Sequence, residues 1–178
     1  MGRVDADVAA LIDVYRLRML PVEATLYAST WVSSEVTTDG SPAGTAIVGL
    51  YLADPPSRSL FHRLTHDEVW HFYCGDPLRL VLLFDDGSDA EVVLGPDWAA
   101  GQLHQFVVPA GTWQAGEVVP GGRFSLFGCT MAPGFTGDSF TGGSNAALVA
   151  AFPTRRDDIE RLSVPEAHAV RMPDGFTQ

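Results

Sequence analysis

In the segment DADVAALIDVYRLRML, apolar residues fall at Val8, Leu11, Ile12 and Tyr15. That three- and four-residue spacing places them on one face of a helix, with Asp5 or Asp7 available to cap it. The pattern predicts a helix over about residues 5–18, ended by Pro21. From Leu26 to Met131 the period changes. Short runs rich in Val, Leu, Phe and Trp (TAIVGLYL, EVWHFYC, LRLVLLF, AEVVLG, HQFVVPAG and RFSLFGCTM) alternate with Gly, Pro and Asp clusters. Such runs read as strands. Asp85–Ser88 (DDGS) reads as a hairpin turn of type I′, because Asp-Gly suits positive φ angles. Val119–Arg123 (VPGGR) reads as a second turn. Many short strands without intervening helices predict a β sandwich or barrel over about residues 26–133. NAALVAAFPTRRDDIERL predicts a helical segment over about residues 144–163. With no repeat, linker or low-complexity tract, the 178 residues are expected to form a single domain.

Charge narrows the partners. Acids outnumber bases 22 to 11, for a net charge of −11. Nucleic acids and anionic membrane surfaces are polyanions, so both are disfavoured. No apolar run approaches the length of about 20 residues that a membrane span needs. The opening MGRVDADVAALID lacks the basic head and apolar middle of a signal peptide. A cytoplasmic location is expected, with Cys74 and Cys129 as two buried free thiols rather than a disulfide.

The richest chemistry lies in LFHRLTHDEVWHFYCGDPL, which places His62, His66, His71, Asp67 and Glu68 within ten residues. Together with VVPAGTWQAG and SLFGCTMAPGF, it resembles the hallmark blocks of the Cupin 5 (DUF985) family of RmlC-like cupins. The resemblance runs from about Leu11 to Leu162. It implies a double-stranded β-helix, or jelly roll, and a homodimer, but no single activity.

Cupins that bind a metal carry G-x5-H-x-H-x3–4-E-x6-G followed by G-x5-P-x-G-x2-H-x3-N. In this sequence His62 falls on the first histidine, and Glu68 and Gly75 fit the rest of the first motif. Leu64 stands at the second histidine and Gln114 at the third. Glutamine is a poor ligand where imidazole or thiolate is preferred, so no metal or other cofactor is expected. His62 and Glu68 remain as a candidate acid–base pair, with His62 as base and Glu68 orienting it. The alternative is an inward polar cluster with no chemical role.

Strand alternation sorts the other candidates. Glu68, Trp70 and Phe72 share one face, and Val69, His71 and Tyr73 share the other. His71 is then outward, His66 solvated in a turn, and His104 at a strand start. Cys129 has neither a base nor a positive field beside it in sequence and reads as lumen-lining. His168 carries no signal.

The family pattern P-H-P-E-G-G-Y-Y-R-E-T-Y corresponds to Leu20–Trp31, where Glu23, Tyr27 and Thr30 line up. Its Arg–Glu pair is replaced by Ala28 and Ser29. That exchange predicts a larger, less polar pocket for an apolar small molecule, bordered by Tyr27, Trp31, Tyr51, Trp70, Trp113, Gln114 and Cys129. Three functions are in view. The first is a metal-independent isomerase, epimerase or cyclase, as in specialised metabolism. The second is a non-catalytic small-molecule-binding protein. The third is a metal-dependent oxygenase or isomerase through His62, Glu68 and Gln114.

Overall fold

Helix α1 (Arg3–Tyr15) opens the chain. It stops three residues short of the expected end. Arg16 takes a left-handed conformation at φ 54°, and the Leu17 amide bonds back to the Ile12 carbonyl at 3.0 Å. This closes the helix with a six-residue return, so Pro21 is not the terminator. The computed structural model describes residues 3–164, 170–173 and 176.

Eleven strands follow among the described residues: β1 (Arg18–Met19), β2 (Leu26–Val32), β3 (Thr45–Leu52), β4 (Ser59–Leu64), β5 (Glu68–Gly75), β6 (Leu78–Leu83), β7 (Asp89–Leu94), β8 (Gln105–Val108), β9 (Trp113–Val118), β10 (Phe124–Met131) and β11 (Phe140–Gly142). Every ladder between them is antiparallel. They form a six-stranded sheet in the order β1-β2-β3-β10-β5-β8 and a five-stranded sheet in the order β11-β4-β9-β6-β7. The architecture is the jelly roll that the sequence implied.

Turn chemistry sets two of the hairpins. Between β6 and β7 the Gly87 amide bonds to the Phe84 carbonyl at 2.9 Å, and of these turn residues Gly87 alone has positive φ, at 85°. A type I′ turn needs positive φ at both central residues, so this is a turn closed by one left-handed glycine. In the turn after β9, Gly121 at φ 85° follows Pro120, and the Gly122 amide bonds to the Val119 carbonyl at 2.9 Å. Proline then glycine at the centre is the type II arrangement.

The two sheets bury their facing sides against each other. Tyr51, Trp70, Leu80, Leu82, Phe127 and Cys129 belong to this inner core. The outer face of the six-stranded sheet is partly covered by α1, whose Val8, Leu11, Ile12 and Tyr15 pack on Val48, Leu50, Leu52 and Leu126. The predicted C-terminal helical segment divides into α2 (Asn145–Ala151) and α3 (Arg156–Leu162), separated by Phe152 and Pro153. Their Leu148, Phe152, Ile159 and Leu162 bury Phe61, Val81 and Leu83 on the outer face of the five-stranded sheet. Arg79 on β6 fastens α3 there through Asp158, with Glu117 on β9 at 2.9 Å and Glu91 on β7 at 2.9 Å. The inner faces are thus left free to build a site.

Candidate functional site: a small cavity between the sheets

Antiparallel register brings the motif positions together. On the five-stranded sheet His62 of β4 stands opposite Gln114 of β9. On the six-stranded sheet Trp70 of β5 stands opposite Cys129 of β10. His62, Glu68 and Gln114 are 3%, 7% and 1% exposed; His62 and Glu68 line a cavity with Ile47, Leu64, Trp70, Phe127, Phe135 and Phe140, and Gln114 lies behind Glu68 and Trp70. The cavity measures about 30 Å³. That is room for roughly two waters or a few bonded non-hydrogen atoms.

One hydrogen-bond chain converges on Glu23. Tyr51 donates its hydroxyl to Ser59 Oγ at 2.6 Å, and Thr25 Oγ1 donates to Glu23 Oε2 at 2.9 Å. Ser59 and Thr25 are 3.1 Å apart. With Ser59 accepting from Tyr51 and Thr25 donating to Glu23, Ser59 is the donor between them. The other oxygen of Glu23, Oε1, lies 3.2 Å from His62 Nδ1. The same Nδ1 is 2.8 Å from the Leu60 carbonyl. A carbonyl only accepts, so Nδ1 carries a ring proton, and in the neutral form of the ring Nε2 holds the lone pair. The carboxylate beside His62 Nδ1 is Glu23, whereas Glu68, the partner that the motif spacing suggested, bonds to Gln114.

Glu68 belongs to a second chain. Trp70 Nε1 donates to Gln114 Oε1 at 2.9 Å, which fixes the amide so that Nε2 donates to Glu68 Oε2 at 2.7 Å. Burial pushes the Glu68 carboxyl upward from its ordinary value. His62 opposes this, Glu23 adds to it, and contact with Gln114 and Cys129 offsets part of the rise. Burial also pushes the Cys129 thiol well up, and the neighbouring Glu68 adds to that, so Cys129 is no activated nucleophile. Tyr51 is likewise pushed well up by burial.

The Glu68 shift has a consequence for stability. Because its native value lies above the unfolded one, the native protein binds more protons across that window, and its contribution to stability is lost as pH rises. Glu68→Gln has no charge to bury. In urea titrations the variant is expected to gain on wild type as pH rises above the ordinary carboxyl range, with no such gain below it. A difference that stays constant with pH would show that Glu68 titrates alike in both states.

The superfamily's metal does not fit these residues. Leu64 offers only carbon at one ligand position, and both ends of the Gln114 amide are committed to Trp70 and Glu68. Among the described residues no group of three or more His, Cys, Asp or Glu is arranged to hold a metal ion.

The other candidates scatter. Tyr27 is fully buried beside the cavity, packed with Leu20, Leu64 and Met131, and its hydroxyl meets Arg18 at 3.3 Å. Trp31 is half-exposed and covers Gly44, away from the cavity lining. Trp113 packs with the α2–α3 layer on the far side of its sheet, under Arg63. Tyr51 joins the site through its hydroxyl chain rather than as a wall. His71 faces outward, 3.2 Å from both Thr130 Oγ1 and Gln105 Nε2. His66 is half-buried rather than solvated, and His104 is exposed. Cys74, expected to be buried, is exposed, and Cys129 is buried; both thiols are free. His168 lies outside the described residues.

Ala28 and Ser29 do not line the cavity, so the exchange at those positions does not enlarge it, contrary to expectation. A far larger groove of about 680 Å³ lies elsewhere, between α1 and the turn after β3. Its lining is mostly apolar, and among the described residues Asp54 and Arg123 are its charged members. The histidine and the acids Glu23 and Glu68 line the small cavity and not this groove.

Sequence missed Glu23 as a site residue, along with Thr25 and Ser59. The family pattern aligned Glu23, but spacing within one strand pair could not reveal a partner delivered by the β1–β2 connection.

This arrangement, two antiparallel sheets with a polar cluster at the motif positions between them, defines a cupin-type jelly roll. A family model described as the cupin superfamily (DUF985) matches residues 9–142. A protein from Shewanella oneidensis, known from an X-ray structure, is 34% identical, with a TM-score of 0.80 over 88% of this chain and 97% of its own. A hypothetical protein from Leishmania major is 26% identical, with a TM-score of 0.77 over 87% of this chain and 97% of its own. The chain belongs to the Cupin_5 (DUF985) family. An oxalate decarboxylase from Lactobacillus farciminis shares the fold alone, at 9% identity and a TM-score of 0.51 over 85% of this chain and 42% of its own. No curated protein matches the chain. No helix among the described residues is long and apolar enough to cross a membrane.

Proposed function

We propose that this cupin is a metal-independent enzyme that moves a proton on a small molecule, an isomerase, epimerase or cyclase in reaction type. His62 Nε2 is the base, Glu23 positions it, and Glu68 is the acid. The observation that carries this reading is that His62 Nδ1 faces the Leu60 carbonyl and Glu23, which leaves the basic nitrogen for the cavity. Two carboxyls in different surroundings, one beside an imidazole and accepting from a hydroxyl and the other buried and pushed up, suit opposite halves of an acid–base step. The apolar walls exclude bulk water, which strengthens each of these interactions.

The test needs no prior substrate. Purified protein is incubated with a metabolite extract in D2O, and mass spectrometry identifies compounds that gain deuterium. Deuterium gain that persists with a chelator and disappears in His62→Ala is the expected result. Gain that survives in His62→Ala, or that the chelator abolishes, would overturn the reading. A compound retained by the protein but never labelled would point instead to a non-catalytic binding protein.

A further inference from the structure

We infer that the substrate is a small uncharged carbonyl compound with an acidic α-hydrogen, and that anionic carbonyl compounds are rejected. This rests on the acid–base reading above and adds a substrate class to it. Three observations carry it. Among the described residues the cavity lining contains two carboxyl side chains, Glu23 and Glu68, and no arginine, and the sequence has no lysine. Arg18, two residues before the lining residue Leu20, is turned to the Tyr27 hydroxyl at 3.3 Å and lies over its ring. A carboxylate or phosphate entering this cavity would be buried beside the Glu23 and Glu68 carboxyls with no guanidinium in the described lining to pair it, an arrangement that is strongly disfavoured. A cationic substrate is disfavoured for a different reason. It would pair with Glu23 and compete for the oxygen that holds His62 Nδ1 at 3.2 Å.

The remaining polar groups suit a carbonyl. Burial favours the protonated form of Glu68, which can donate a hydrogen bond to a carbonyl oxygen. His62 Nε2 takes the α-proton. The C–H electron pair becomes the carbon–carbon double bond of an enol. The carbonyl π pair moves onto oxygen, which takes the Glu68 proton. The step leaves imidazolium beside Glu23 and carboxylate at Glu68, and charge is conserved. The reverse transfers return a proton to carbon from His62 and restore both groups, so no oxidant or other co-reactant is consumed. A volume of about 30 Å³ holds the reacting atoms of a compound with a handful of non-hydrogen atoms.

The probes are hydroxyacetone, which is neutral, and pyruvate, an anion of similar size. Each is incubated with the protein in D2O, and loss of α-proton signals is followed by proton NMR in wild type, His62→Ala and Glu68→Gln. Exchange of hydroxyacetone at least tenfold faster in wild type than in His62→Ala, with no such difference for pyruvate, is expected. His62-dependent exchange of pyruvate at an equal or higher rate overturns the charge selection and leaves the acid–base reading standing. Exchange of neither probe overturns the carbonyl class, and the extract experiment then judges the reading by itself. Acceleration of hydroxyacetone exchange that is equal in wild type and His62→Ala counts against the reading itself. Should His62→Ala fail to fold, Leu64→Lys, which adds a cation to the wall, is expected to shift the preference toward pyruvate. An unchanged preference in that variant counts against the charge argument.

Discussion

Trp70→Ala is expected to lower the unfolding free energy by about 3–5 kcal/mol, the range for deleting a buried indole. Trp70 is 2% exposed, stacks on Phe127 at 5.0 Å, and tilts against Tyr51 at 6.3 Å. These contacts hold the inner faces together where β5 and β10 supply the cavity wall. Trp70→Phe separates packing from hydrogen bonding. It keeps an aromatic ring but removes the donor to Gln114 Oε1, and the orphaned carbonyl should cost about 1–3 kcal/mol. The Gln114 amide then loses its fixed orientation, and with it the certainty that an N–H faces Glu68. Adding Gln114→Leu to Trp70→Phe removes both partners, so the combined loss should be smaller than the sum of the two single losses. Urea unfolding followed by far-ultraviolet circular dichroism measures all of these without relying on the lost fluorophore. Strict additivity of the two single losses would show that the indole–amide bond contributes nothing of its own.

The fold was legible because its signals are local. TAIVGLYL became β3 residue for residue, and the other five quoted runs became strands whose ends differ by at most three residues. The turns carried their own chemistry in Gly87 and Pro120–Gly121, although the single left-handed residue of the first made it a different turn from the one expected. The site was legible only where one strand determines it. Alternation correctly separated Glu68 and Trp70 from His71 on β5. It also placed Cys129 inward. It could not say that Trp31 and Trp113 leave the cavity, because their surroundings depend on Gly44 and on helices α2 and α3. Nor could it find Glu23, which precedes β2 and reaches His62 across 39 residues of sequence by tertiary contact alone. The small cavity was equally hidden. Phe135 comes from the connection after β10 and Phe140 opens β11, and nothing in the motif spacing announces that they close it.

Glu23→Gln is expected to slow turnover of the substrate found by deuterium labelling by about a hundredfold, toward the lower end of what a positioned base contributes. The reasoning starts from redundancy. The Leu60 carbonyl alone still accepts from Nδ1 at 2.8 Å, so the correct tautomer keeps one of its two partners. What the variant loses is the negative charge that stabilises the imidazolium once the proton has moved. A glutamine can also turn its NH2 toward Nδ1, which would favour the opposite tautomer with Nε2 protonated and useless as a base. Fold should survive, because the replacement has the same shape and can still accept from Thr25. Nitrogen NMR of the imidazole gives a readout that a merely structural role would not move. Wild type should show a protonated Nδ1 and a bare Nε2, whereas the variant should show a mixture of the two tautomers. Loss of turnover in the same proportion as the loss of the correct tautomer would establish Glu23 as the positioning residue. Unchanged turnover, with the tautomer intact, would mean that the Leu60 carbonyl alone holds the ring and that the chain from Tyr51 through Ser59 and Thr25 serves only to satisfy a buried carboxylate.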